Sequence, residues 1–374
     1  MRIIIAGDLY IADEFRNNNL IDKSVIDLFE DADYRIVNLE APITEDNPNN
    51  KIIKTGPHLR MLSNTILPYL HQLKIDAVTM ANNHIQDYGN KGVTDTFKEL
   101  DDHKIEYIGA GNDLTEARKP LTLDKDGMKI AILNFCENEW SIADDDSPGA
   151  NPMDIIDNTN QIREAKASHD KVIVIIHGGH EYYNLPSPRM QKQYRFYADQ
   201  GADIVVGHHT HCISGNEVYK GVPIYYSLGN FLFTNNNIND DWYTGLVLEI
   251  EISNEKIECE IHPIGQKREK FDLTLLEGIF KEDVLNRFKT YCKLIENPDK
   301  IRAHWVKYIE KQSKQYLNYW SPLASIENRY ISGIFRRIGV NFINKKAASL
   351  HLNLMRCEAH HNLSKEVLEK YISK

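Results

Sequence analysis

The residues best suited to chemistry are His209 and His211, which follow the β-branched stretch Asp203–His208. Neutral imidazole is the commonest protein ligand for zinc and similar metals. Residues two apart in an extended segment share a face, so the pair is expected to point into one cavity. Taken alone, it is equally compatible with hydrogen-bonded surface histidines. Four more apolar runs end in the same way. Arg2–Ala6 leads into Gly7-Asp8, and Tyr34–Asn38 into Leu39-Glu40. Asp76–Ala81 leads into Asn82-Asn83-His84, and Val172–Ile176 into His177, with His180 and Glu181 close behind. Each ending can ligate a metal or carry a proton, and ligand sites in α/β sheets collect at the carboxyl ends of strands. Five such endings on one sheet edge point to a polynuclear metal site.

The elements needed to position these groups are legible. Short β-branched runs suit strands buried on both faces. They alternate with helical stretches near residues 19–30, 60–73, 90–103, 156–168 and 187–199. That alternation reads as βαβ units with largely parallel strands. Beyond Gly207, strand-like runs at 222–226, 228–233, 243–252 and 256–264 follow without helices between them. Two of these, 246–252 and 256–261, read as an antiparallel hairpin across Ser253-Asn254-Glu255. The mixture suits an α/β fold with two facing sheets flanked by helices. Polar segments 41–58 and 137–152 leave strand ends near the proposed site and either rim it or are plain exposed connections. Asp144–Asp146 lacks the spacing of a calcium loop. Past residue 270 helix formers dominate and the strand signal ends.

Six motifs occur in one order: Gly7-Asp8, Asn38-Leu39-Glu40, Asn82-Asn83-His84-x-x-Asp87-x-Gly89, His177-Gly178-Gly179-His180-Glu181-Tyr182, Gly207-His208-His209-Thr210-His211 and Ser227-Leu228-Gly229-Asn230-Phe231. Over roughly residues 1–265 this set resembles the CapA family of capsule-synthesis (poly-γ-glutamate biosynthesis) proteins, a branch of the calcineurin-like metallophosphoesterases. The resemblance implies a four-layer αββα metallophosphatase-like sandwich over 1–265, with 266–374 as a basic, mainly helical C-terminal extension. It also implies two divalent metal ions, Mn, Zn or Fe. Asp8, Glu40 and His211 would hold one; Glu40, Asn83, His177 and His209 would hold the other. His84 would contact phosphoryl oxygens or protonate the leaving group, with Asp87 orienting it. Glu181 and Tyr182 are expected to position His177 or bind substrate, and Asn230 to order the loop beneath the metals. Two departures stand out. The superfamily's Asp-x-His is Asp8-Leu9-Tyr10 here, and its bridging aspartate is Glu40. The first metal site is therefore expected to be the weaker, with a single tightly bound ion as the alternative. Tyr10 is expected to pack, although a phenolate can ligate oxidised iron. The implied activity is hydrolysis of a phosphate ester, on a small phosphorylated substrate or one related to polyglutamate or polysaccharide. The alternative is a non-hydrolytic metal-binding accessory protein in polymer synthesis.

Composition narrows the partners. The 374 residues are 42% hydrophobic and 26% charged, ordinary for a globular protein. No apolar run approaches the ~20 residues needed to span a bilayer. Met1-Arg2 leads directly into the first strand, so no signal peptide or anchor is expected. The five cysteines are scattered, odd in number and without CxxC spacing, which suits a reducing, cytoplasmic location. Cys212 is expected to pack. Residues 266–374 carry 21 Lys+Arg against 12 Asp+Glu, which leaves 23 against 42 for residues 1–265. An acidic catalytic half disfavours a nucleic-acid substrate. The basic extension is read as a solvated helical surface. Within it, the basic-apolar stretch 329–346 offers a weaker route to peripheral association with an anionic membrane.

Overall fold

The computed structural model describes residues 1–326, 333–334 and 342–372. Elements follow the alternation read from the sequence: β1 (Arg2–Tyr10), α1 (Lys23–Glu30), β2 (Tyr34–Leu39), α2 (Ser63–Gln72), β3 (Ala77–Thr79), α3 (Gly89–Asp102) and β4 (Glu106–Ile108). A short pair, β5 (Ala110–Gly111) and β8 (Gly149–Ala150), brackets α4 (Leu114–Ala117) and the hairpin β6 (Leu121–Lys125) and β7 (Met128–Cys136). Next come α5 (Ile155–Ser168), β9 (Lys171–His177), α6 (Pro188–Gln200) and β10 (Ile204–His208). The strand-rich part contains β11 (Asn216–Tyr219), β12 (Val222–Tyr225), β13 (Asn230–Phe233), β14 (Thr244–Ile252), β15 (Ile257–Gln266) and β16 (Leu273–Leu275). Helices α7 (Gly278–Ile295), α8 (Pro298–Tyr319), α9 (Lys345–Arg356) and α10 (Glu358–Ile372) follow.

Two mixed sheets result. One runs β16-β15-β14-β1-β2-β3-β4, with β13 also on β1; the other runs β11-β12-β10-β9-β7-β6. Strands β1 to β4 are mutually parallel, as are β7, β9, β10 and β12. The expected hairpin is β14–β15, closing with Ile252 opposite Ile257. Because side chains alternate along a strand, each sheet has two buried faces. Ile3 and Ile5 of β1 meet Ile130, Ile132, Ile173, Ile175, Ile204 and Val206 between the sheets. Ile4 and Ala6 face outward onto Val25, Phe29, Ile66, Leu70 and Phe97 of α1 to α3. On the far side Val172, Val174, Ile176 and Val205 pack against Ile162, Ala165, Tyr194 and Tyr197 of α5 and α6. Helix, sheet, sheet, helix: the layers are those of an αββα sandwich.

Two local expectations change. The strand end expected before residue 137 is that of the central β7, but the strand signal continues past residue 270 into β16. The compact unit is Met1–Ile301, extending beyond the expected boundary at 265. Helix α7 is the reason: its Val284 and Phe288 enter the core between the sheets, and its Ile295 enters the outer one. The second unit, Arg302–Lys374, is helical where described, and α9 and α10 bury no residue fully. Most of the 329–346 stretch lies outside the described residues. Among the described residues no helix is long and apolar enough to cross a membrane.

Candidate metal centre

The six expected ligands meet where the carboxyl ends of parallel strands from both sheets face each other. Asp8 lies near the end of β1, Glu40 just past β2 and Asn83 past β3; His177 ends β9, and His209 and His211 follow β10. The sequence suggested one sheet edge, but the site takes its ligands from two sheets. Ligand atoms of Glu40, His177 and His209 all lie within 4.8 Å of one another, and so do those of Asp8, Glu40 and His211. Asn83 joins the first group through Oδ1, 3.1 Å from His177 Nε2. All six side chains are buried.

Backbone geometry at this end is specialised. Gly7 precedes Asp8 where the carbonyl of Gly229 occupies the space a Cβ would need, and the Asp8 amide donates to that carbonyl at 3.3 Å. Only glycine permits this approach of β13 to β1. Strand β10 stops at His208, and the two candidate histidines occupy a turn with φ of +88° at His209 and +53° at His211. The shared face therefore comes from two left-handed residues, and the pleat invoked for the pair is absent. Such conformations cost about 1–3 kcal/mol each and persist where surroundings fix them. Here the His209 amide donates to Asp8 Oδ2 at 3.2 Å. His211 Nδ1 donates to Asn230 Oδ1 at 2.8 Å, and Asn230 Nδ2 donates to the Trp242 carbonyl at 3.0 Å. That bond leaves His211 Nε2 facing Glu40 Oε1, 3.5 Å away.

Electrostatics separate the two carboxylates. Burial resists ionisation of Asp8, but the hydrogen bond to His211 and the fields of His177 and His211 hold it well below the usual range. Glu40 moves the other way, pushed well up by burial and then by the charge of Asp8. Burial, then His209, drives His177 well down; burial, then His211, lowers His209 to about 4. For His211 burial is the largest single effect, but the hydrogen bond to Asp8, the charges of Asp8 and Glu181 and the bond to Asn230 together outweigh it, and its pKa rises. Asp8 and His211 thus compensate each other, while Glu40 has no such partner. Its Oε1 is buried without a hydrogen bond, 3.8 Å from His177 Nε2. An unpartnered buried carboxylate oxygen facing two imidazole nitrogens is costly as it stands. A cation between them would satisfy all three. Ligand atoms each about 2.0–2.2 Å from one ion stand roughly 3–4 Å apart, so the residues fit a metal on both sides of Glu40.

Beside this cluster, His84 Nδ1 contacts Asp87 Oδ2 at 2.7 Å, the pairing expected. Burial lowers the pKa of His84 against the pull of Asp87. Glu181 is exposed and acts on Glu40 and His211 through its charge. Tyr182 stands beside His211, ring centres 6.3 Å apart, with its hydroxyl receiving Asn237 Nδ2 at 3.2 Å. Asn230 fixes His211 directly. Tyr10 packs on Phe233, ring centres 5.0 Å apart, and burial followed by Asp13 pushes its phenol up to about 12, unfavourable for a phenolate ligand. Cys212 is buried against Thr210.

Four contributors carry no role in the sequence reading, although Asn38 and Asn82 lie within its motifs. Asn38 Nδ2 donates to Asp8 Oδ1 at 2.8 Å and lies 3.3 Å from His177 Nδ1. Asn82 donates to the Leu39 carbonyl at 2.8 Å. A buried asparagine in an otherwise apolar strand was the available signal for Asn38. Glu139 reaches Asn83, which lowers its pKa against the larger effect of burial. Lys54, from the polar 41–58 segment, buries its ammonium against Asp87.

The profile of the bacterial capsule synthesis protein PGA_cap family matches residues 2–235. The PGA biosynthesis protein CapA of Bacillus subtilis is 37% identical over 209 residues, covering 55% of this chain and 54% of its own length. The capsule biosynthesis protein CapA of Bacillus anthracis is 34% identical over 211 residues, covering 54% and 51%. A "Probable polyglutamine synthesis accessory protein" of Mycobacterium tuberculosis is 30% identical over 212 residues, covering 53% and 55%. The chain thus spans about half the length of these curated relatives.

Proposed function

Because the chain belongs to the bacterial capsule synthesis protein family PGA_cap, we propose that its αββα domain is a metal-dependent phosphoesterase. The observation that carries the proposal is a single buried carboxylate, Glu40, shared by two ligand groups and unpartnered at Oε1. His84 lies on the loop of one of those ligands, Asn83, with Nδ1 engaged by Asp87. In this reading Asp8, Glu40 and His211 hold one divalent cation, and Glu40, Asn83, His177 and His209 hold a second. The mixture of carboxylate and imidazole suits Mn, Zn or Fe. When bound, the pair lowers the pKa of a coordinated water towards neutrality and offsets phosphoryl charge during in-line displacement.

The protein's own groups do the rest. Asn38 and Asn230 hold Asp8 and His211 in ligating orientation, as supporting hydrogen bonds do in metal sites. Asp87 keeps Nδ1 of His84 engaged, so Nε2 is the atom that exchanges a proton with the leaving oxygen. The acidic body argues against a polynucleotide substrate, and a small phosphorylated or polyglutamate- or polysaccharide-related substrate fits better. All five cysteines are free thiols, in keeping with the proposed cytoplasmic location.

A second reading, a metal-binding accessory protein in polymer synthesis, is favoured by the name of the Mycobacterium tuberculosis relative. One screen separates the two. The stripped and the Mn²⁺- or Zn²⁺-reloaded protein is offered phosphomonoesters, phosphodiesters and γ-glutamyl peptides. Chelator-sensitive release of phosphate or alcohol supports the phosphoesterase. Turnover that survives exhaustive chelation, or none on any ester after reloading, refutes it.

A further inference from the structure

Lys54 is the cation that this acidic site has no evident need for. Its side chain is 2% exposed and that of its partner Asp87 is 0% exposed, so an ammonium has been taken out of water at a cost that pairing must offset. The Asp87 carboxylate is fully engaged: Oδ1 takes the ammonium, while Oδ2 takes both His84 Nδ1 and the Leu59 amide, each at 2.7 Å. Lys54 Nζ also lies 3.3 Å from His84 Nδ1. The segment carrying Lys54 is tied to the same residue by its backbone. The Ile52 amide donates to the Asp87 carbonyl at 3.3 Å, and His58 Nε2 meets the Ile52 carbonyl at 2.8 Å. Orienting His84 requires only Asp87, already held by Leu59. The added ammonium cancels the charge of Asp87 where Glu139 already feels the charges of both Asp87 and Glu181.

We propose that Lys54 is a positioning residue: it clamps the Asp87–His84 pair, closes segment 51–59 over it, and cancels the charge of Asp87 where an anionic leaving group departs. The inference rests on the phosphoesterase reading for its catalytic half, but the clamp itself does not. Without Lys54, Asp87 is a buried uncompensated carboxylate that repels the substrate's oxygens and competes for a different arrangement of His84. Arginine keeps the charge with another reach.

The test uses the full chain and its Lys54→Met, Lys54→Arg and Lys54→Met/Asp87→Asn variants. The last removes both charges in case Lys54→Met alone does not fold. Bound metal, kcat and KM on p-nitrophenyl phosphate and bis(p-nitrophenyl) phosphate, and amide exchange at Ile52 and Leu59 are measured together. Expected for Lys54→Met are wild-type metal content, kcat lower by about 10²-fold, the lower end for a disturbed proton-transfer group, a smaller change in KM, and faster exchange at both amides. Lys54→Arg should recover part of kcat. The double variant should fold, hold metal and remain slow. Unchanged kcat and exchange in Lys54→Met overturn the proposal, as does loss of metal in proportion to rate. If wild-type protein hydrolyses neither ester, the phosphoesterase reading fails by itself. Amide exchange then decides the clamp: faster exchange supports it and unchanged exchange overturns it.

Discussion

Glu40→Gln keeps the shape of the shared side chain and removes its charge. In the metal-free protein this should be nearly harmless, because Glu40 is fully buried, its Oε1 has no partner, and burial together with Asp8 already favours its neutral form. In the metal-loaded protein the loss should be large. Removing even a supporting group costs up to ~10²-fold in metal affinity, and a charged ligand common to both ions is worth at least that. At an ion concentration about 100 times the wild-type Kd, binding stabilises wild type by about 2.7 kcal/mol, while a variant with Kd near that concentration gains about 0.4 kcal/mol. The difference, about 2.3 kcal/mol, divided by an unfolding entropy of about 0.6 kcal/mol/K for a unit of this size, corresponds to roughly 4 °C in Tm. Circular-dichroism melts of both proteins, in EDTA and in MnCl₂, read this directly. A variant with the full wild-type shift in Mn²⁺ would mean that Glu40 is no ligand. A variant that melts far below wild type in EDTA would mean that its carboxylate supports the fold instead.

His209→Ala and His84→Ala should fail differently. The first loses metal and turnover together, whereas the second keeps its metal and loses about 10²–10⁴-fold in kcat; metal loss in His84→Ala would make that residue a ligand. Asn230→Ala removes the acceptor of His211 Nδ1 and should weaken metal affinity by about 10–100-fold, read by competition with a chelator; unchanged affinity would refute the orienting role. Burial depresses the five imidazoles of His84, His177, His180, His208 and His209. Each contributes stability that is present above about pH 6.5 and lost as pH falls towards its folded value, about 4 for His209. Glu40, Glu137, Glu139 and His211 are raised and act in the opposite sense. Five depressed imidazoles against four raised groups leave a small balance, so the metal-stripped protein should melt slightly lower at pH 5 than at pH 7; a higher Tm at pH 5 would contradict that balance.

The layered fold and the clustering of the candidate ligands were legible because both depend on short-range pattern. Runs such as Ile3–Ala6 and Val172–Ile176 are apolar at every position, which marks strands covered on both faces, and a ligating residue after each marks its carboxyl end. What failed depended on conformation or on distance. His209 and His211 share a cavity through two left-handed residues, which no β-strand periodicity encodes. Strand β16 has only three residues, so it carries a weak signal. Helix α7 reads as part of a helical tail until Val284 and Phe288 are seen in the core. Lys54 sits in a stretch whose composition suggests solvent exposure. Its burial becomes intelligible only once Asp87, 33 positions away along the chain, is known to face it.

The central claim is a pair of cations bridged by Glu40. Crystals of the protein grown with Mn²⁺, with anomalous diffraction recorded at the manganese edge, test it most directly. The account predicts two peaks flanking Glu40, one among Asp8 and His211 and the other among Asn83, His177 and His209, with the first the weaker. Peaks confined to surface carboxylates, or none within ligating distance of Glu40 Oε1, would contradict it.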